Sequence, residues 1–237
     1  MGLTMSEQLA TLALNDLAFP HPEEMDLRRV LVSLRKNDDQ MSAFLRSWWT
    51  EGIPFAFKRK PGEYERLRHW LAQRFNISAR SITVIGSGRL GYSIVPKKQG
   101  SPFNPTSDID VFAVSQELFN KLKKDFERWM SDFSQGAVTP TEAEKKYWTE
   151  NQRCVPRNLA GGFIDASKIP ARPRYADAQR VLDIMSRATG SFAKSTEHGK
   201  IHKFTLRVYQ NWGAADAQLK VNLSDIINRL DLNGGSL

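Results

Sequence analysis

Two carboxylates one residue apart open an apolar run in Ser107-Asp108-Ile109-Asp110-Val111-Phe112-Ala113-Val114. Side chains of an extended strand alternate between faces, so Asp108 and Asp110 point one way and Ile109 the other. Their Cα atoms are then about 7 Å apart. Like charges at that spacing repel, and a shared cation relieves the repulsion. Oxygen-only donors suit a hard ion, so the pair predicts Mg²⁺ or Mn²⁺. Such ions bridge phosphate oxygens during phosphoryl and nucleotidyl transfer. A second chemical element lies upstream. The apolar stretch Ile82-Thr83-Val84-Ile85 runs into Gly86-Ser87-Gly88-Arg89-Leu90-Gly91. Glycines let backbone N–H groups converge on an anion, and the Ser87 hydroxyl adds a donor.

Gly86-Ser87, the further Gly91 and Ser107-Asp108-Ile109-Asp110 before an apolar run resemble the signature of the DNA polymerase β-type nucleotidyltransferase superfamily. The likeness covers Ile82 to Val114. It implies an α+β fold, with a small mixed β-sheet of the nucleotidyltransferase type covered by helices. It implies that Gly86 and Ser87 grip the triphosphate of an NTP and that Asp108 and Asp110 bind metal. In such a site Arg89 or Lys97 would be the nearby cation expected to reach the phosphates. An NMP would then pass to a hydroxyl of RNA, protein or a small molecule. Transferring members normally carry a third carboxylate on a later strand, as metal ligand or base. The strand expected at Ile201–Tyr209 has no acid and shows Thr205, Arg207 and Tyr209 on its polar face. Asp165, after Phe163-Ile164, is the best remaining position, whereas Asp216 and Asp225 fall in a helical pattern. Arg207 in the third place would pair with a phosphate or with the acids themselves.

Other readings stay open. Gly86, Gly88 and Gly91 also spell G-x-G-x-x-G, but that fingerprint needs a helix directly after it, and Pro96, Gly100, Pro102 and Pro105 exclude a long one. An Asp- and Gly-rich hairpin without chemistry is the plain alternative. Within the nucleotidyltransferase reading, the chain is either an active enzyme or a weakened relative that binds nucleotide or nucleic acid as a sensor or complex subunit. The resemblance extends to small bacterial proteins of phage-defence and toxin–antitoxin systems, which implies a cytoplasmic protein with a partner protein in the same system.

The composition sets further bounds. The chain has 237 residues, a net charge of +8 and one cysteine, Cys154. A single cysteine excludes an intrachain disulfide framework, and no Cys/His spacing suits zinc. A Walker A pattern is absent. Met1 to Ser6 has no basic, apolar leader character, and no stretch has the apolar length of a membrane span. A basic chain attracts polyanions such as RNA. Lys58-Arg59-Lys60, Lys97-Lys98 and the helical Lys121, Lys123 and Lys124 would form a basic collar around the acidic centre.

These residues must be positioned by the remaining elements. Residues 1–60 read as an N-terminal helical layer, with apolar stripes around Leu9–Leu14, Leu27–Leu34 and Met41–Trp49, and 61–237 as the nucleotidyltransferase-like domain. Pro61 opens a helix that Asn76 stops, leading into the Ile82–Ile85 strand. Ser115 caps a helix carrying Leu118, Phe119, Leu122, Phe126 and Trp129. A short helix is expected from Thr141 toward Trp148. A Pro- and Arg-rich loop follows over Arg153–Arg174, either covering the site or lying on the surface. A helix over Tyr175–Ala188, a loop over Gly190–Gly199, the Ile201–Tyr209 strand and a helix over Asp216–Leu230 complete the pattern.

Overall fold

The computed structural model describes residues 38–93, 98, 101–193 and 201–232. The stripes expected before residue 38, and Lys97, lie outside these. The described elements are α1 (Asp38–Phe44) with a π-helical turn (Leu45–Thr50), α2 (Pro61–Phe75), β1 (Ile82–Ile85), α3 (Ser87–Leu90), β2 (Ile109–Val114), α4 (Gln116–Ser134), α5 (Glu142–Ala160), β3 (Phe163–Asp165), α6 (Ala176–Phe192), β4 (Phe204–Tyr209) and α7 (Trp212–Leu232). The result is a mixed α+β protein with a four-stranded sheet in the order β1-β2-β4-β3. β1 is antiparallel to β2, β2 parallel to β4, and β3 antiparallel to β4. Consequently β1 and β3 end, and β2 and β4 begin, at one end of the sheet.

The period of two sorts the strands between two apolar layers. Ile109, Val111, Ala113, Phe204, Leu206 and Val208 face one core, filled by α2, α4, α5 and α6. Phe112, Tyr209 and Phe163 face the other, closed by Met41, Phe44, Leu45 and Trp49 and by Ala215, Leu219, Leu223 and Ile227 of α7. The Phe112 and Tyr209 rings meet edge to face at 5.3 Å between centroids. Asp108 and Asp110 share this second face, beyond the point where its apolar filling ends.

Several element ends follow the residue chemistry. Pro61 stands in the first turn of α2, and Asn76 closes it at φ 55°. The Ser115 hydroxyl accepts from Leu118 N–H at 3.2 Å. Three expectations are corrected. α5 does not stop near Trp148 but continues to Ala160 with Pro156 inside it, because buried Trp148, Asn151 and Val155 hold its inner stripe. α6 passes Gly190 to Phe192, whose ring packs on Trp70 at 5.9 Å. α7 begins at Trp212, four residues ahead of Asp216. The Pro- and Arg-rich loop is therefore short, and ion pairs tie it down. Arg172 donates twice to Glu144, both contacts at 2.8 Å, and Arg174 lies 3.2 Å from Asp132.

The glycine turn is anchored from an unexpected side. Arg89 is 3% exposed. It donates through Nε to the Trp49 carbonyl at 3.1 Å, through Nη1 to that of Gly52 at 3.0 Å, and through Nη2 to that of Glu51. Burial pushes its pKa down to about 10. This guanidinium satisfies carbonyls left open where the π-helical turn ends. Arg89→Ala should therefore lower unfolding free energy by about 3 kcal/mol in urea denaturation, and Arg89→Lys should not restore it, since an ammonium cannot span three fixed acceptors.

Candidate functional site

The topology brings the sequence motifs to the shared sheet end. β1 delivers its chain to Gly86 just where β2 presents Asp110, because Ile85 is the partner of Asp110 across the ladder. Gly86 adopts φ 67°, ψ −147°, a conformation closed to L side chains. A Cβ there would also lie 3.1 Å from Asp110 Oδ2. The glycine is thus required both by the turn and by the approaching carboxylate. One helical turn, α3, lies between Gly86 and Gly91, which close its two ends. Gly88 sits where a Cβ would meet Ile109 at 3.0 Å and Val84 at 3.3 Å, so the turn lies close upon β1 and β2. Ser87 stands at the first position of that turn, half-buried.

Asp110 is fixed by its other neighbour strand. Parallel pairing puts Thr205 opposite it, and the Thr205 hydroxyl donates to Asp110 Oδ1 at 2.6 Å. Asp108 lies just ahead of β2 on the same face, more open to solvent. His202 Nδ1 is 2.9 Å from its Oδ1, and Lys203 Nζ is 3.6 Å from its Oδ2. Asp165 stands on β3, two strands from β2, opposite Arg207. Arg207 donates to both Asp165 oxygens, at 2.7 and 3.0 Å, and lies over the Phe163 ring. Burial opposes the charge of Arg207, but the hydrogen bonds and charge of Asp165 outweigh it and raise the Arg207 pKa.

The electrostatics single out Asp110. Burial raises its carboxyl pKa, the Thr205 hydrogen bond opposes the rise, and the charges of Asp108 and Asp165 reinforce it against Arg207. Asp110 is an acid held in a place that disfavours its charge. Among the described residues, no three or more His, Cys, Asp or Glu side chains converge to hold a metal. A two-carboxylate site still fits Mg²⁺, which is commonly bound through one or two carboxylates and completes its shell with phosphate oxygens and water.

Gly86, Asp108 and Asp110 are brought together, with Ser87 next in the turn. Asp165 reaches the same end of the sheet but is engaged by Arg207. Arg89 is corrected: its donors are spent on the carbonyls of Trp49, Glu51 and Gly52, not on phosphates. The basic collar is corrected in part, because α4 packs on the opposite face of the sheet. There Lys121 pairs with Glu117 and Lys123 with Glu127. His202, Lys203 and Thr205 were not anticipated as site residues. The only sequence signal for them was the alternation that turned Thr205 to the polar face.

The raised Asp110 pKa has a consequence for stability. A carboxyl whose folded pKa lies above its unfolded one loses its proton first in the unfolded chain, so folding weakens as pH rises past the unfolded value, near about 4. Asp110→Asn should raise Tm at pH 7, with the gain disappearing as pH falls below about 4. Thermal melts of both proteins across pH 3–8, metal-free, check this.

Compared with protein families, with curated proteins and with solved structures, the chain has no match.

Proposed function

We propose that the protein is a Mg²⁺-dependent nucleotidyltransferase that moves an NMP from an NTP to a hydroxyl acceptor, RNA, protein or small molecule. The observation that carries this reading is the approach of the half-buried Asp110 carboxylate to the Gly86 turn, so close that a Cβ on Gly86 would lie 3.1 Å from its Oδ2, with Asp108 beside it on the same face. A carboxylate pair adjoining a glycine turn sets metal ligands next to backbone donors, the combination that a triphosphate requires. Bound Mg²⁺ would supply charge neutralisation at the transferring phosphate.

The chain's own groups divide the work. Asp108 and Asp110 would hold the ion. The Ser87 hydroxyl and the N–H groups of Ser87 and Gly88, which open α3, would take the phosphates. Thr205 keeps Asp110 in one rotamer, an orienting role of the kind that tunes metal ligands. Lys203 and His202 flank Asp108 and suit an anionic substrate entering from solvent.

A second reading has its own support. Arg207 occupies both oxygens of Asp165, the one described acid placed to act as third carboxylate. An acid so engaged is a poor base, and the site would then bind nucleotide without turning it over. In either case the resemblance points to a bacterial defence or toxin–antitoxin system as the setting.

The purified chain should transfer label from an α-labelled NTP to total RNA or to itself with Mg²⁺. Asp108→Ala and Asp110→Ala should each reduce transfer by at least about 10³-fold, as loss of a catalytic electrostatic group does. Equal incorporation by the variants would refute the reading. Saturable NTP binding without incorporation would favour the second.

A further inference from the structure

A cavity of about 550 Å³ opens beside β1, with Arg46, Arg68, Arg80, Glu51, Trp212 and Asp216 in its lining. None of these belongs to the acidic pair or the glycine turn. Its volume lies in the range that takes a single small molecule.

Three chain segments build it, and they differ in chemistry. α2 and the turn before β1 bring Arg68 and Arg80. The Arg68 Nε holds that turn in place through the carbonyls of Ala79 and Ile82, at 2.9 and 3.0 Å. The π-helical turn brings Arg46, one helical turn before Thr50. Neither Arg46 nor Arg80 is in an ion pair with any described residue, whereas Arg68 reaches Glu65 at 3.0 Å. α7 brings Trp212 and, four residues on, Asp216, and Glu51 is the other acid of the lining. Trp212 is 44% exposed, although it rests edge-on against Phe112 at 5.9 Å. The Tyr64 hydroxyl lies 3.1 Å from that of Thr83, which donates to the Thr50 carbonyl at 3.0 Å.

A plain inorganic anion would meet the guanidiniums but also two carboxylates. An uncharged aromatic would use the indole and leave the arginines idle. A nucleoside monophosphate uses all three: its phosphate among Arg46, Arg68 and Arg80, its base against Trp212, and its ribose hydroxyls or exocyclic amine donating to Glu51 or Asp216. We infer that this cavity binds a nucleoside monophosphate unit, free or at the end of a strand, at a site separate from the Asp108–Asp110 end of the sheet. The inference goes beyond the transferase reading and stands without it.

Equilibrium binding of AMP, and separately of an oligoadenylate five nucleotides long, to the full chain in EDTA tests this. Saturable binding is expected for at least one, and which of them binds more tightly tells a free nucleotide from a strand end. The exposed-side-chain variant Arg46→Ala/Arg80→Ala should weaken that binding at least about tenfold, as removal of two charge-assisted contacts does. Asp110→Asn should leave it within about twofold, so that loss of the transferase site is told apart from loss of this one. A second measurement uses the unaltered sequence. With 5-fluorotryptophan in the chain, the ¹⁹F signal assigned to Trp212 through Trp212→Phe should move on saturation with AMP or the oligoadenylate. No binding of either probe, binding indifferent to the two arginines, binding lost with Asp110→Asn, or a stationary Trp212 signal would each overturn the inference.

Discussion

The parallel pairing of β2 with β4 is the constraint on which the site depends. It starts both strands at the same end of the sheet, and its register sets Thr205 beside Asp110 and Arg207 beside Phe112. Antiparallel β1 and β3 then finish at that end, so Gly86 and Asp165 arrive there without long connections. A slip of one residue in β4 would turn Thr205 and Arg207 into the α2–α4–α6 core and bring Phe204 and Leu206 to the acids, at the cost of two buried polar groups. The apolar filling of both faces thus fixes the polar geometry at one end.

The chemistry at that end is a balance of like charges. Asp108 and Asp165 both act electrostatically on Asp110, and the protein answers each of the three acids differently. Asp165 receives a guanidinium, Asp108 receives His202 and Lys203 at the solvent edge, and Asp110 receives a single hydroxyl. The least compensated acid is the one pressed against the glycine turn. Such residual strain is what a bound cation relieves, and sites of function commonly keep it at some expense of stability.

Much of this was legible in the sequence, and the reasons are local. The two-residue spacing of Asp108 and Asp110 and the apolar Ile109, Val111 and Ala113 between and after them fixed a face. Pro61, Asn76 and Ser115 marked helix ends through backbone chemistry that needs no tertiary partner. What could not be read was which strand lies beside which. Asp165 looked like a loop residue because the short Phe163–Asp165 strand gains its pairing only from β4. The Pro- and Arg-rich stretch from Arg153 looked like a loop, yet buried Trp148, Asn151 and Val155 carry α5 through Pro156 to Ala160. Arg89 looked like a phosphate ligand because charge beside glycines suggests one, yet its partners are carbonyls about forty residues away in sequence.

Arg89 also bears on how the glycine turn meets whatever it holds. Its side chain knits α3 to the end of the π-helical turn through carbonyl oxygens of Trp49, Glu51 and Gly52. The turn that begins at Gly86 and Ser87 is therefore tied to another part of the chain by three hydrogen bonds of its own. If the proposed triphosphate binds there, it would have little chain disorder to freeze, and more of its contact energy would remain as affinity.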